Sequence, residues 1–207
     1  MAKTPQQSEK KSNRLIGRRY RFAEDYQLVP DLRGNGRSKQ IVYIGPWILP
    51  TNEPEEYKKI VRWMWVLTAL VLIAVFAAME QIPFPATHKW YFPILVVSLF
   101  PLLHQLMGAW MLPAKICHME RQRFDKSFVR IGSSAMFAFV VICLSALAYL
   151  IYWIIAATST IEGEAPYALA DGVFAALLTF SAVAELQVRR LSRKIKTDTL
   201  ENSAYQP

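Results

Sequence analysis

Cysteine is nearly absent from the chain: Cys117 and Cys143 are the two among 207 residues, and no CxxC spacing occurs. That excludes a disulfide-built scaffold and a thiol redox motif. Histidine is almost as scarce. His104 and His118 lie 14 residues apart, the spacing that puts two haem ligands on one helix face, but Pro113 interrupts any helix between them. The remaining histidine, His88, provides no opposing axial pair, so haem is not expected. Cys117 and His118 are adjacent without further ligands at zinc spacing, so no metal is expected either. Missing too are a Gly-rich phosphate loop, HExxH, GxSxG and an intramembrane carboxylate pair suited to acid and base roles. No catalytic residue and no cofactor is assigned. No internal repeat is evident.

Acidic residues are the minority, 16 against 24 Lys and Arg, for a net charge of +8. The excess sits beside apolar runs rather than in a separate basic domain. Anionic lipid headgroups are therefore the expected partner, and nucleic acid is not.

What the chain has in abundance is long apolar sequence. Four stretches cover residues 63–79, 90–113, 131–161 and 165–188, the last broken only by Asp171 and Glu185. Crossing a hydrocarbon core of about 30 Å takes roughly 20 helical residues. The second and third stretches exceed that without a formal charge, and the first reaches it from Ile60 if Arg62 extends its guanidinium to the headgroups. A soluble fold would have to bury several all-round apolar helices with little protein left to cover them. The expected fold class is an all-α membrane protein, a four-transmembrane-helix bundle with a short N-terminal cytoplasmic β-hairpin. The spans are placed at about 60–79, 90–113, 131–157 and 166–188, within a membrane domain of residues 58–188. The first apolar run begins too late for a cleavable secretory signal, so the chain is expected to insert uncleaved.

Thirteen Lys and Arg precede the first span, one (Lys89) separates the first two, five lie in residues 115–130, none in 162–167, and five follow Glu185. Because Lys and Arg are retained on the cytoplasmic side, residues 1–57, the central linker and the basic tail 189–207 are expected inside. The cell membrane is the expected location. Trp63, Trp65 and Trp110 fall at the inner boundary of this scheme, and Trp90, Tyr91, Tyr149, Tyr152 and Trp153 toward the outer one.

Residues 1–13 are polar and aperiodic, so disorder is expected there. In residues 18–46 the pattern becomes that of a hairpin. Tyr20, Phe22, Tyr26 and Leu28 share one parity and Arg19, Arg21, Asp25 and Gln27 the other; Asn35 and Gly36 suit a turn, and residues 41–44 return as the partner strand. Two strands alone are marginal in water. Either the hairpin packs on the membrane face or the linker of its own chain, or its edge, carried by Tyr26, Leu28, Ile41 and Tyr43, pairs with another protein. The linker 114–130 reads as an amphipathic interfacial helix or as extensions of the flanking spans.

Polar residues inside the spans are the functional pointers. His104 and Glu185 fall in the inner halves of spans two and four, at depths where they can meet to relay protons, bind a cation or lock two helices. The ordinary alternative for Glu185 is an i,i+4 ion pair with Arg189. Asp171, near the outer end, suits a helix start. Pro101 leaves the Val97 carbonyl without its helical donor, so a kink is expected. Ala168, Gly172 and Ala176, with Ser181, Ala182 and Ala184, form a small-residue face for close helix contact. The functional expectation is a non-catalytic accessory, scaffolding or regulatory subunit of a larger membrane system, partnered by a membrane protein or by copies of itself. The alternative is a small oligomeric transporter using the polar residues of spans two and four.

Overall fold

The computed structural model describes residues 23–30, 39–81, 91–158 and 168–200. The expected disorder of 1–13, the start of the hairpin at Tyr20 and Phe22, its turn at 31–36, Trp90 and residues 82–89 and 159–167 lie outside the described residues. The chain divides into two compact units: Asn52–Lys115 with Lys126–Lys196, and Met1–Thr51 with Ile116–Asp125 and Thr197–Pro207.

The larger unit is helical. Helix α1 is Pro54–Glu80, α2 Phe92–Val97, α3 Leu99–Trp110, α5 Arg130–Thr158 and α6 Ala168–Arg193; the four-residue helix α4, Arg121–Phe124, belongs to the smaller unit and is followed in the chain by a π-helical turn at Asp125–Val129. Four of the continuous helical segments, Pro54–Glu80, Phe92–Trp110, Arg121–Ile155 and Gly172–Arg193, are long and apolar enough to cross a membrane. Pro54 opens α1 where its missing N–H costs nothing, and Glu55 and Glu56 favour the positive end of the helix dipole.

Each helix buries one stripe. On α1 it runs Tyr57, Ile60, Val61, Met64, Thr68, Val71, Val75 and Ala78, the three- and four-residue steps of a single face. On α6 it is Phe174, Leu178, Ser181, Ala184, Glu185 and Val188. Helices α1 and α5 each pack on both α3 and α6, so the four form a ring with α3 and α6 across one diagonal.

The expected kink occurs as a break at Ser98. Pro101 offers no N–H to Val97, while the Ser98 N–H and Oγ–H both donate to the Leu95 carbonyl, at 3.0 and 2.6 Å. Close helix approach comes from glycines other than the expected one. A Cβ on Gly108 would stand 2.8 Å from Ile131 Cγ1, and one on Gly132 would stand 2.7 Å from Ser192 Oγ. Gly172, by contrast, has open space around it, and Ala176 is exposed. Gly172 and Ala176 therefore point outward, because Phe174 and Leu178 occupy the core side of α6; Ser181 and Ala184 are buried as expected.

Aromatic residues behave in two ways. Trp63, Trp110 and Trp153 are exposed, and Trp65 meets Trp110 edge-on at 6.3 Å. Tyr91 is instead buried, its ring 5.4, 5.3 and 5.6 Å from those of Tyr149, Tyr152 and Phe174. That cluster ties the start of α2 to α5 and α6. At the opposite end, buried Asn52 accepts from the Lys196 N–H at 2.8 Å and donates to the Lys194 carbonyl at 3.1 Å. It thereby serves backbone groups that the end of α6 leaves unpaired.

The smaller unit holds two antiparallel sheets. Strands β1 (Tyr26–Pro30) and β2 (Lys39–Tyr43) pair with Tyr26 opposite Tyr43 and Leu28 opposite Ile41, which is the expected hairpin and parity. Within it, Ala23–Asp25 forms a 3₁₀ turn rather than part of the strand. Gly45 is required by contact: a Cβ there would fall 2.6 Å from Asp25 Cβ. The second sheet was not expected. Strand β3 (Trp47–Pro50) lies between β4 (Met119–Glu120) and β5 (Thr197–Leu200). The linker 114–130 is accordingly not one interfacial helix, and of the two expected extensions the one leading into the third span is present. The linker's centre is a strand, and only from Arg121 does it become helix leading into α5. Residues 197–200 of the basic tail are likewise strand.

Candidate functional site

The helical unit contains one ionisable side chain at its centre. Glu185 is fully buried on the core stripe of α6, and Gln105 of α3 and Thr68 of α1 are buried with it. The Gln105 amide lies beside the Glu185 carboxyl and donates to Thr68 Oγ1 at 2.9 Å. Because α3 and α6 stand on a diagonal of the ring, these two long side chains reach toward each other across its middle. The α5 side is lined with small residues. Contacts of Gly132 with Ser192, and of Met136 with Arg189, set an antiparallel register that brings Glu185 level with residues 139–140, one step from the buried Ala138. By the Gly108–Ile131 contact, Gln105 falls level with Ser134 and Ala135.

Neither Glu185 oxygen has a hydrogen-bond partner among the described residues, and Gln105 Oε1 has none. Burying a carboxylate without a donor or counter-charge is costly in a medium of low dielectric. The ordinary i,i+4 partner does not supply one: the Arg189 guanidinium engages Met136 Sδ on α5. A salt bridge joins Lys58 to Glu55 at 2.8 Å on the surface of α1.

His104 does not join this cluster. It lies on the exposed face of α3 beside Leu103 and Met107, and the adjacent residue, Gln105, takes the inward position. The reason is angular: successive helical residues differ by about 100°, so a core position at Leu102, Gln105 and Ala109 turns 104 outward. Asp171 occupies the first turn of α6, as expected for a helix start.

In the hairpin, two of the four edge residues are engaged within the chain. The Tyr26 hydroxyl donates to Glu120 Oε2 at 2.8 Å, and the Tyr43 hydroxyl donates to the Pro46 carbonyl at 2.7 Å while accepting the Arg121 N–H at 3.0 Å. Tyr43 also stacks edge-on with Tyr26 and with Trp47, at 5.2 and 5.0 Å. The hairpin thus leans on its own linker. Burial, followed by the bond to Glu120, holds the Tyr26 phenol well above the ordinary tyrosine range. Burial also raises that of Tyr43, against the opposing Arg121 N–H. Ile41 stays exposed and Leu28 half-buried.

Comparison with known proteins adds no relative: no family model, curated protein or solved structure matches the chain.

Proposed function

We propose that this chain is a multi-pass protein of the cell membrane that works without catalysis, as an accessory, scaffolding or regulatory subunit of a larger membrane system. Residues 1–57, the linker around β4 and residues 189–207 lie on the cytoplasmic side, against anionic headgroups. The observation that carries this reading is the β4-β3-β5 sheet. Hydrogen-bonded strands must share one side of a bilayer. β3 precedes α1, β4 lies between α3 and α5, and β5 follows α6. Two crossings then separate each strand from the next, which agrees with the alternation of basic charge. Anchoring a topology needs only Lys and Arg; building three separate segments into a folded module on that side favours a docking role.

The test is purification of the tagged chain from native membranes in mild detergent, with crosslinking. The expected result is a stoichiometric membrane-protein partner joined to the hairpin or to the three-stranded sheet, and lost in Ile48→Asp with helix content unchanged. A chain that runs alone overturns the reading. A second reading, a small oligomeric transporter, is favoured by the buried Glu185–Gln105 pair, which stands where sequence alone placed His104 and Glu185. Reconstituted flux that is unchanged in Glu185→Gln and Gln105→Leu removes it.

A further inference from the structure

We propose that Glu185, Gln105 and Thr68 form a proton-binding site at the centre of the helical bundle, in which the Gln105 amide turns over as Glu185 gains and loses its proton. This goes beyond the subunit reading and does not depend on it.

The argument begins with what kind of atom lacks a partner. Three buried oxygens in the cluster are unpaired among the described residues: both carboxylate oxygens of Glu185 and Oε1 of Gln105. All three are acceptors, so the chemistry the cluster calls for is a donor. A divalent cation is poorly served. Such ions take six or more oxygen ligands, and no three His, Cys, Asp or Glu side chains cluster among the described residues. A sodium-sized ion would have four side-chain oxygens here, two from Glu185 and one each from Gln105 and Thr68. A proton needs one acceptor and one neighbour, and both are present.

Two arrangements satisfy the site. With Glu185 neutral, its hydroxyl donates to Gln105 Oε1, and Gln105 Nε2 donates to Thr68 Oγ1, the bond seen at 2.9 Å. With Glu185 ionised, the amide rotates by half a turn: Nε2 donates to the carboxylate, and the Thr68 hydroxyl donates to Oε1. Thr68 serves both states because a hydroxyl both donates and accepts. The difference between them is one proton taken from water and one amide rotation.

Little else acts on the site. From α1 the facing group is Thr68, since Arg62 is exposed about 1.7 turns earlier; from α3 it is Gln105, with His104 on the outer face. From α5, Ser134, Ala135 and Ala138 face inward and Cys143 is exposed. On α6 itself Arg189 is engaged by Met136.

The experiment is infrared difference spectroscopy and thermal melting of the full chain in lipid nanodiscs, swept in pH, on wild type, E185Q, Q105L and T68V. The expected result is a carboxylic-acid carbonyl band that comes and goes with pH, is lost in E185Q and shifts in Q105L, together with a pH-dependent melting temperature that E185Q flattens. T68V moves the band less than Q105L does. A band absent at every pH the fold survives, or one that E185Q leaves in place, overturns the proposal. So does a melting temperature that rises with added sodium or potassium at fixed pH in wild type alone, which identifies a metal cation as the occupant. If E185Q does not fold, the Q105L band shift decides, because that variant keeps the acid.

Discussion

Asn52 shows how much one side chain can hold at the start of α1. It satisfies two backbone groups 142 and 144 residues away and is 6% exposed. Asn52→Ala leaves the Lys194 carbonyl and the Lys196 N–H unpaired and is expected to destabilise the chain by about 1–3 kcal/mol, read as a drop in melting temperature. The paired tyrosines give a pH prediction. An acid whose folded value is raised stabilises fully below its unfolded value, about 10 for tyrosine, and loses that contribution as pH climbs through the folded one. The hairpin is therefore expected to loosen above about pH 10. Limited proteolysis in β1 and β2 should follow that onset, and Tyr26→Phe should weaken the dependence. Glu185 was legible at this scale, as a carboxyl in an apolar run; its neighbour was not. On an amphipathic helix the polar face would separate residue 104 from 105, but α3 is apolar on both its core and outer faces, as Leu102 and Leu103 illustrate, so no period tells them apart.

Among the elements, α2 and α3 owe their separation to Pro101. Pro101→Ala restores a donor to the Val97 carbonyl and is expected to join them into one helix, lengthening the distance between spin labels placed at Ile94 and Met107. Unchanged distances would assign the break to Ser98 instead. The long helices could be read from the sequence because their apolar runs leave no other secondary structure for that length. The hairpin was readable because Tyr26 and Leu28 alternate with Asp25 and Gln27. The three-stranded sheet was not. Its strands are of two and four residues, β3 ends on a proline, and each pairing joins segments more than 70 residues apart, so neither local pattern nor propensity marks them.

For the whole molecule, the proposed topology is open to a direct measurement. Cys117 lies in the linker before β4, and the chain's other thiol, Cys143, lies within α5. With Cys143 replaced by Ser, a membrane-impermeant maleimide is expected to label Cys117 only in inverted vesicles. A cysteine introduced by Ala86→Cys, with Cys117 also removed, should react only from outside. Labelling of both from one side would refute the four-crossing arrangement. In each of the four helical segments long and apolar enough to cross a membrane, between 33% and 39% of the apolar centre is buried inside the chain, so most of that surface faces outward. Phe100 at 72% exposed and Ile73 at 63% mark such surface on α3 and α1.

The arrangement of β5 beside β3 also fixes an order of events during synthesis. β3 precedes α1, whereas β5 follows α6. One flank of β3 therefore stays open while the four long apolar helical segments emerge from the ribosome, and a bare strand edge is adhesive. Until β5 arrives, that edge of β3 lacks its strand partner. Its closure would then report that every helix before it has been delivered.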